Sequence, residues 1–208
     1  MRVNIIADIA GRYDELLALL AQMPEADLIL SVGDMVDRGT QSPEVVEFFR
    51  TTPNAMALYG NHEDMMVQAI LDKRNIDWMW NGGHQTSLSY DRYEENLIYE
   101  HVAWMQALPL HFKIPGLFVS HAPQLHISDF PVKMETHLVN LIWNRREPVH
   151  KADAFMVCGH NGLYTEFKDR KTQEHIGTCI DNSHERELLG MHWPTKEIFR
   201  QAYKEKKK

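Results

Sequence analysis

A chain of 208 residues with 44% hydrophobic and 25% charged side chains fits one domain with a substantial core, in the ordinary composition of a globular protein. Its net charge of −7 argues against nonspecific binding to duplex nucleic acid, and its longest apolar runs are strand-sized, too short for a membrane-spanning helix. The chain enters a strand with no secretory apolar region, and Cys158 and Cys179 belong to no Cys-x-x-Cys pair, so a cytoplasmic protein with buried thiols is expected.

In chain order, Arg2 to Ala7 reads as an apolar strand that ends at Asp8, with Gly11 just after. Arg12 to Met23 places Leu16, Leu17, Leu19 and Leu20 at helical spacing, and Pro24 stops the run. Leu28 to Val32 is a second strand, followed at once by Gly33-Asp34-Met35-Val36-Asp37-Arg38-Gly39. Ser42-Pro43 reads as an N-cap and first helical position, opening a helix to about Arg50. Ala55 to Tyr59 is a third strand, followed by Gly60-Asn61-His62-Glu63 and a helix that buries Met65, Met66, Ala69 and Ile70 as core filler. Trp78 to Leu108 reads as mostly helical and irregular, its Trp and Tyr residues serving packing rather than a substrate groove. Strands are expected at Leu110–Ile114, Leu117–Ser120, Ala154–Cys158, His175–Asp181 and Leu188–Trp193, with no internal repeat and no low-complexity linker. Residues 1–203 form a single domain in this reading, and the basic tail 204–208 frays.

Five of these strands end on a residue able to hold a cation: Asp8, Asp34, Asn61, His121 and His160. Each alone has a plainer reading, an Asp as a turn residue or helix N-cap and a His as a packing residue. Ligands of open α/β sheets bind in the crevice beyond the strand C-termini, and carboxylate, amide and imidazole with a nearby Arg suit hard metal ions and a phosphate.

Gly33-Asp34-x-x-Asp37-Arg38-Gly39, Gly60-Asn61-His62-Glu63 and two later histidines resemble the motifs of the calcineurin-like metallophosphoesterases of the phosphoprotein phosphatase family. Asn81-Gly82-Gly83, Ile142-Trp143-Asn144-Arg145 and Gly159-His160 are similar to the compact bacteriophage lambda type, and the resemblance runs over about residues 1–182. It implies an α/β (α+β) fold: a two-sheet β sandwich flanked by helices in a four-layer metallophosphatase-like architecture. It also implies two divalent metal ions, Mn2+ in the first instance with Fe, Zn or Ni as alternatives. Asp8 and the bridging Asp34 would hold the first ion, and Asp34, Asn61, His121 and His160 the second. His62 would be the general acid oriented by Asp37, and Arg38 and Arg145 would hold phosphate oxygens.

Two positions depart from the family pattern. The family's first-block histidine is Ala10 here, which removes one imidazole and weakens the first metal site. Ala10 has two readings, a natural lineage in which water fills the place and an engineered replacement, which the otherwise orthodox motifs favour. The Arg that usually precedes Gly-Asn-His-Glu is Tyr59, which removes one phosphate contact. The resulting expectation is a metal-dependent phosphomonoesterase of serine/threonine protein phosphatase type, impaired by Ala10 and acting on a phosphoprotein or a small phosphoester or nucleotide, without membrane or duplex nucleic acid. The alternatives are a dinucleoside tetraphosphate hydrolase and a catalytically dead phosphate-binding protein. Beyond the motif histidines, His84, His126 and His184 are further residues that could lie near the site.

Overall fold

The computed structural model describes residues 1–72, 76–124 and 141–204. Ten strands form two five-stranded sheets. The first sheet contains β1 (Val3–Ile6), β2 (Leu28–Ser31), β3 (Ala55–Ala57), β9 (Glu187–Trp193) and β10 (Glu197–Ala202) in the order β10-β9-β1-β2-β3. The second contains β4 (His111–Ile114), β5 (Leu117–Ser120), β6 (Phe155–Cys158), β7 (Thr165–Lys168) and β8 (His175–Cys179) in the order β4-β5-β6-β8-β7. Both sheets are mixed: β1-β2-β3 and β5-β6-β8 run parallel, and antiparallel strands complete each sheet.

Side-chain alternation explains why the sheets stack. Val3, Ile5, Leu30, Leu117, Val119, Phe155, Val157, Leu189 and Met191 share one buried core, the slab between the sheets. The intervening residues Ile6, Phe118, Met156 and Cys158 belong to the other core, with the helices and with Leu141 and Ile142. Its helical part comes from α1 (Tyr13–Leu20), α2 (Ser42–Thr51), α3 (Asn61–Asp72), α4 (Ile76–Trp78), α5 (His84–Tyr90) and α6 (Asn96–Met105), with a π-helical turn over Met79–Gly83 joining α4 to α5. This is the expected sandwich flanked by helices. Both cysteines are buried and free. Among the described residues, no helix is long and apolar enough to cross a membrane.

Two local expectations change. Ser42 does not cap α2; it is the first helical residue, and its hydroxyl turns inward to Thr86 Oγ1 at 3.1 Å, tying α2 to α5. The strands β7 and β10 escape the sequence pattern because both lie at sheet edges and bury little: only Phe167 is buried in β7, and no residue of β10 is. Lys204, the first residue of the basic tail, donates its backbone N–H to Glu15 of α1 at 3.1 Å, and residues 205–208 lie outside the described residues.

Candidate active site

The C-terminal ends of the parallel strands in both sheets converge. The backbone leaves them in left-handed conformations at Asp8, Ala10, Asp34, Asp37, Arg38 and His160, with φ between 37° and 76°. Non-glycine residues pay for this geometry, about 1–3 kcal/mol each, and such strain gathers where function over-determines the backbone. The strand ends are laced together by the main chain: Gly159 N–H donates to His121 O at 2.8 Å, and His160 N–H donates to the Asp8 carboxylate at 3.1 Å.

Four donor atoms meet in one buried nest. Asn61 Oδ1 lies 2.8 Å from His121 Nε2 and 2.9 Å from His160 Nδ1, and Asp34 Oδ1 lies 3.4 Å from His121 Nε2. His121 Nδ1 donates to Val32 O at 3.1 Å, which fixes the tautomer and leaves Nε2 as a bare lone pair aimed at two oxygens. Burial lowers the pKa of His121, and burial with the neighbouring His121 ring lowers that of His160 to about 3, so both imidazoles are neutral. The lone pair of His121 Nε2 repels the oxygens of Asn61 and Asp34 that it faces, unless a cation stands between them. The donor set therefore fits a divalent metal ion, and Asp34, His121 and His160 form a candidate metal-binding group.

Glu63 holds the nest in shape. Its buried carboxylate accepts the N–H groups of Asp34 at 2.8 Å, Met35 at 2.7 Å and Gly60 at 2.9 Å. The last of these is half of a capping box, a third-position Glu reaching back to the residue before the helix. One side chain thus joins the turn after β2 to the start of α3. Gly60 has no room for a side chain, since a Cβ there would stand 2.4 Å from Asp34 Oδ1.

Beside the nest stands His62, whose Nδ1 lies 2.5 Å from Asp37 Oδ2. Asp37 is wholly buried, and its other oxygen accepts Trp78 Nε1–H at 3.0 Å and the Thr86 hydroxyl at 2.8 Å. Burial opposes charge on His62, but Asp34 and Asp37 outweigh it and raise the pKa above the ordinary histidine value. Arg38 Nη2 lies 3.1 Å from His62 Nε2. The π-helical turn carries Arg38 from behind: Gly82, at φ +112°, accepts the Arg38 N–H at 3.3 Å. Arg145 Nη1 donates to His160 O at 3.2 Å, which brings its guanidinium to the same cavity, about 60 Å³ in volume.

On the first-metal side the structure brings together Asp8, Asp34 and a residue absent from the sequence expectation, Asp181. The carboxyls of Asp8 and Asp181 are in hydrogen-bond contact, and burial, then the charges of Asp181 and Asp34, push the Asp8 pKa well above the carboxylate range. Asp181 also accepts the N–H groups of Gly162 and, at 2.9 Å, Ser183. Ala10 presents only its methyl group. Asp181 closes the expected strand His175–Asp181 and so carried the same strand-end mark as the other donors, but no glycine turn follows it and it was not assigned. Glu63, Trp78 and Thr86 were also unassigned, although Glu63 sits inside the motif.

Of the further histidines, His184 lines the cavity, and His84 lines a groove of about 790 Å³ with Arg38 and the exposed Trp80. His126 lies outside the described residues. Trp78 is buried, as packing predicts, whereas Trp80 is 87% exposed on the groove. Tyr59, which stands where the family has an Arg, donates its hydroxyl to Asp64 at 3.2 Å.

The chain is similar to known phosphatases in sequence and in fold. Serine/threonine-protein phosphatase 1 of Salmonella typhimurium is 28% identical over 173 residues, 76% of this chain and 75% of the relative. Serine/threonine-protein phosphatase 2 of the same organism is 37% identical over 83 residues, an alignment that spans only 38% of either protein. A symmetrical bis(5'-nucleosyl)-tetraphosphatase of Salmonella paratyphi A is 40% identical over 73 residues, 34% of this chain and 26% of that enzyme. In fold, a Saccharomyces cerevisiae protein serine/threonine phosphatase superposes with a TM-score of 0.67 at 14% identity, covering 99% of this chain and 81% of that one. The family model of the calcineurin-like phosphoesterases matches residues 1–188, which include every strand-end residue of the nest, and the chain belongs to that family.

Proposed function

We propose that the chain is a metal-dependent phosphomonoesterase of serine/threonine protein phosphatase type, acting in the cytoplasm with two Mn2+ ions, the first of them weakly held. The observation that carries this reading is the pairing of a neutral imidazole nest on Asn61 with a carboxylate-oriented His62 beside it. When bound, the ions supply a hydroxide nucleophile near neutral pH and draw charge from the phosphoryl oxygens.

The chain's own residues do the rest. Arg38 and Arg145 grip phosphate oxygens, the fork of each guanidinium matching that geometry. In the present arrangement Arg38 sits against His62 Nε2; a phosphate that draws the guanidinium away frees Nε2 to carry a proton. Asp37 holds Nδ1–H and favours the imidazolium. As hydroxide bonds to phosphorus and the bond to the leaving oxygen breaks, His62 Nε2 gives its proton to that oxygen, yielding an alcohol and inorganic phosphate.

A dinucleoside tetraphosphate hydrolase is the second reading. Tyr59 favours it, because its hydroxyl is engaged with Asp64 and supplies no guanidinium to a single phosphate. Metal analysis after dialysis from Mn2+, combined with turnover of p-nitrophenyl phosphate, tests the main reading. About one retained ion per chain and Mn2+-dependent hydrolysis are expected. Two tightly held ions would contradict the weak first site, and absence of hydrolysis at saturating Mn2+ would count against the esterase.

A further inference from the structure

A second cavity, about 320 Å³ in volume, opens beside the metal nest with Ala10 in its wall. Arg12, Arg38, Arg186 and His184 face it, together with Ser183 and Tyr203, and among the described residues no carboxylate lines it. Cations so gathered are unusual in a chain of net charge −7. Arg2, Arg50, Arg92 and Arg200 each meet a carboxylate, whereas neither Arg12 nor Arg186 makes an ion pair among the described residues. Arg12 is also held in place: its guanidinium lies over the Tyr203 ring, 3.8 Å from the centroid, while its Nε is buried without a hydrogen-bond partner. Tyr203 in turn is anchored by its N–H to Arg186 O at 2.8 Å, so the end of β10 and the turn after β8 build the pocket together. A half-buried guanidinium held over a ring, with its Nε buried and without an acceptor, lacks an anionic partner.

The two cavities share Arg38, Ser183 and His184. An anion in the second cavity would therefore be contiguous with a phosphoryl group over the metal nest. We propose that the Arg12–Arg186 cavity is a second phosphate subsite, which takes the phosphate next to the scissile one in an oligophosphate chain. The proposal rests on the phosphoester hydrolase reading for the first cavity and extends its substrates from single phosphoesters to phosphoanhydride chains. A phosphoserine side chain fills the first cavity only.

Calorimetric titration of the full-length protein, as purified, with inorganic tripolyphosphate and with orthophosphate tests this. Tripolyphosphate should bind at least about tenfold more tightly than orthophosphate. Arg186→Gln and Arg12→Gln should each remove roughly tenfold or more of the tripolyphosphate affinity, the worth of a charge-assisted hydrogen bond, and leave orthophosphate binding within about twofold. Arg186 is exposed, so its variant keeps the test open should Arg12→Gln disturb the packing on Tyr203. Equal weakening of both anions, or a double variant that binds tripolyphosphate as well as the parent, would overturn the subsite. Arginine-dependent tripolyphosphate binding without any turnover of p-nitrophenyl phosphate would support the subsite and count against the hydrolase reading alone.

Discussion

At the scale of single residues, Asp37 has both oxygens engaged, one by Trp78 and Thr86 and the other by His62. It is one of the two carboxylates that raise the His62 pKa against burial. Asp37→Asn removes that contribution, so His62 should lose its proton at lower pH than in the parent; an NMR titration of the His62 ring checks the direction. In an Ala10→His background, His62→Asn should cost roughly 10²–10⁴-fold on an alkyl phosphate and much less on p-nitrophenyl phosphate, whose leaving group needs little protonation. Equal losses on both substrates would remove the proton-donor role. Ala10 itself is held by the main chain, donating its N–H to Asp34 O at 2.8 Å and accepting Gly39 N–H at 2.9 Å. Ala10→His should raise Mn2+-dependent hydrolysis of p-nitrophenyl phosphate by roughly 100-fold or more, since even outer-shell changes alter metal sites by about 10–100-fold. A variant that holds two ions and gains no activity on any phosphoester would point to a binding protein.

At the scale of elements, Glu63 couples the turn after β2 to the start of α3 through three buried N–H groups. Glu63→Ala leaves those donors in a site closed to water. The expected loss is about 3–5 kcal/mol, which lowers Tm by roughly 6–20 °C for a domain of this size. Thermal unfolding of the metal-free protein measures it, and a change under about 2 °C would mean that water reaches the N–H groups. The motif carrying Glu63 was legible because Gly60-Asn61-His62-Glu63 is local, a turn and a first helical turn. The inward Ser42 hydroxyl was not legible, since its partner Thr86 stands 44 residues away on another helix.

At the scale of the molecule, the metal nest is the meeting point of two sheets, so an ion there should stabilise the whole fold. Mn2+ at about 100 times its dissociation constant should contribute about 2.7 kcal/mol, raising Tm by roughly 5–10 °C. Asn61→Ala should abolish most of that shift, and an unchanged shift would place the ion elsewhere. The strand-end residues Asp8, Asp34, Asn61, His121 and His160 could be read in the sequence because apolar runs and glycine turns are short-range patterns. Their convergence is a tertiary fact: the His160 N–H that meets Asp8 comes from 152 residues away. Arg12, Arg186 and Tyr203 carried no such local mark, and Asp181, at the end of an expected strand, lacked only the glycine turn. They become neighbours only because β9 pairs with β1 and the edge strand β10 pairs with β9, which returns the far end of the chain beside α1. The sequence alone determined the chemistry at each strand end, since turns and apolar alternation are local. The second cavity, the contact of Asp181 with Asp8 and the neutrality of the imidazoles were decided by tertiary structure, because burial and charge proximity depend on which distant elements pack together.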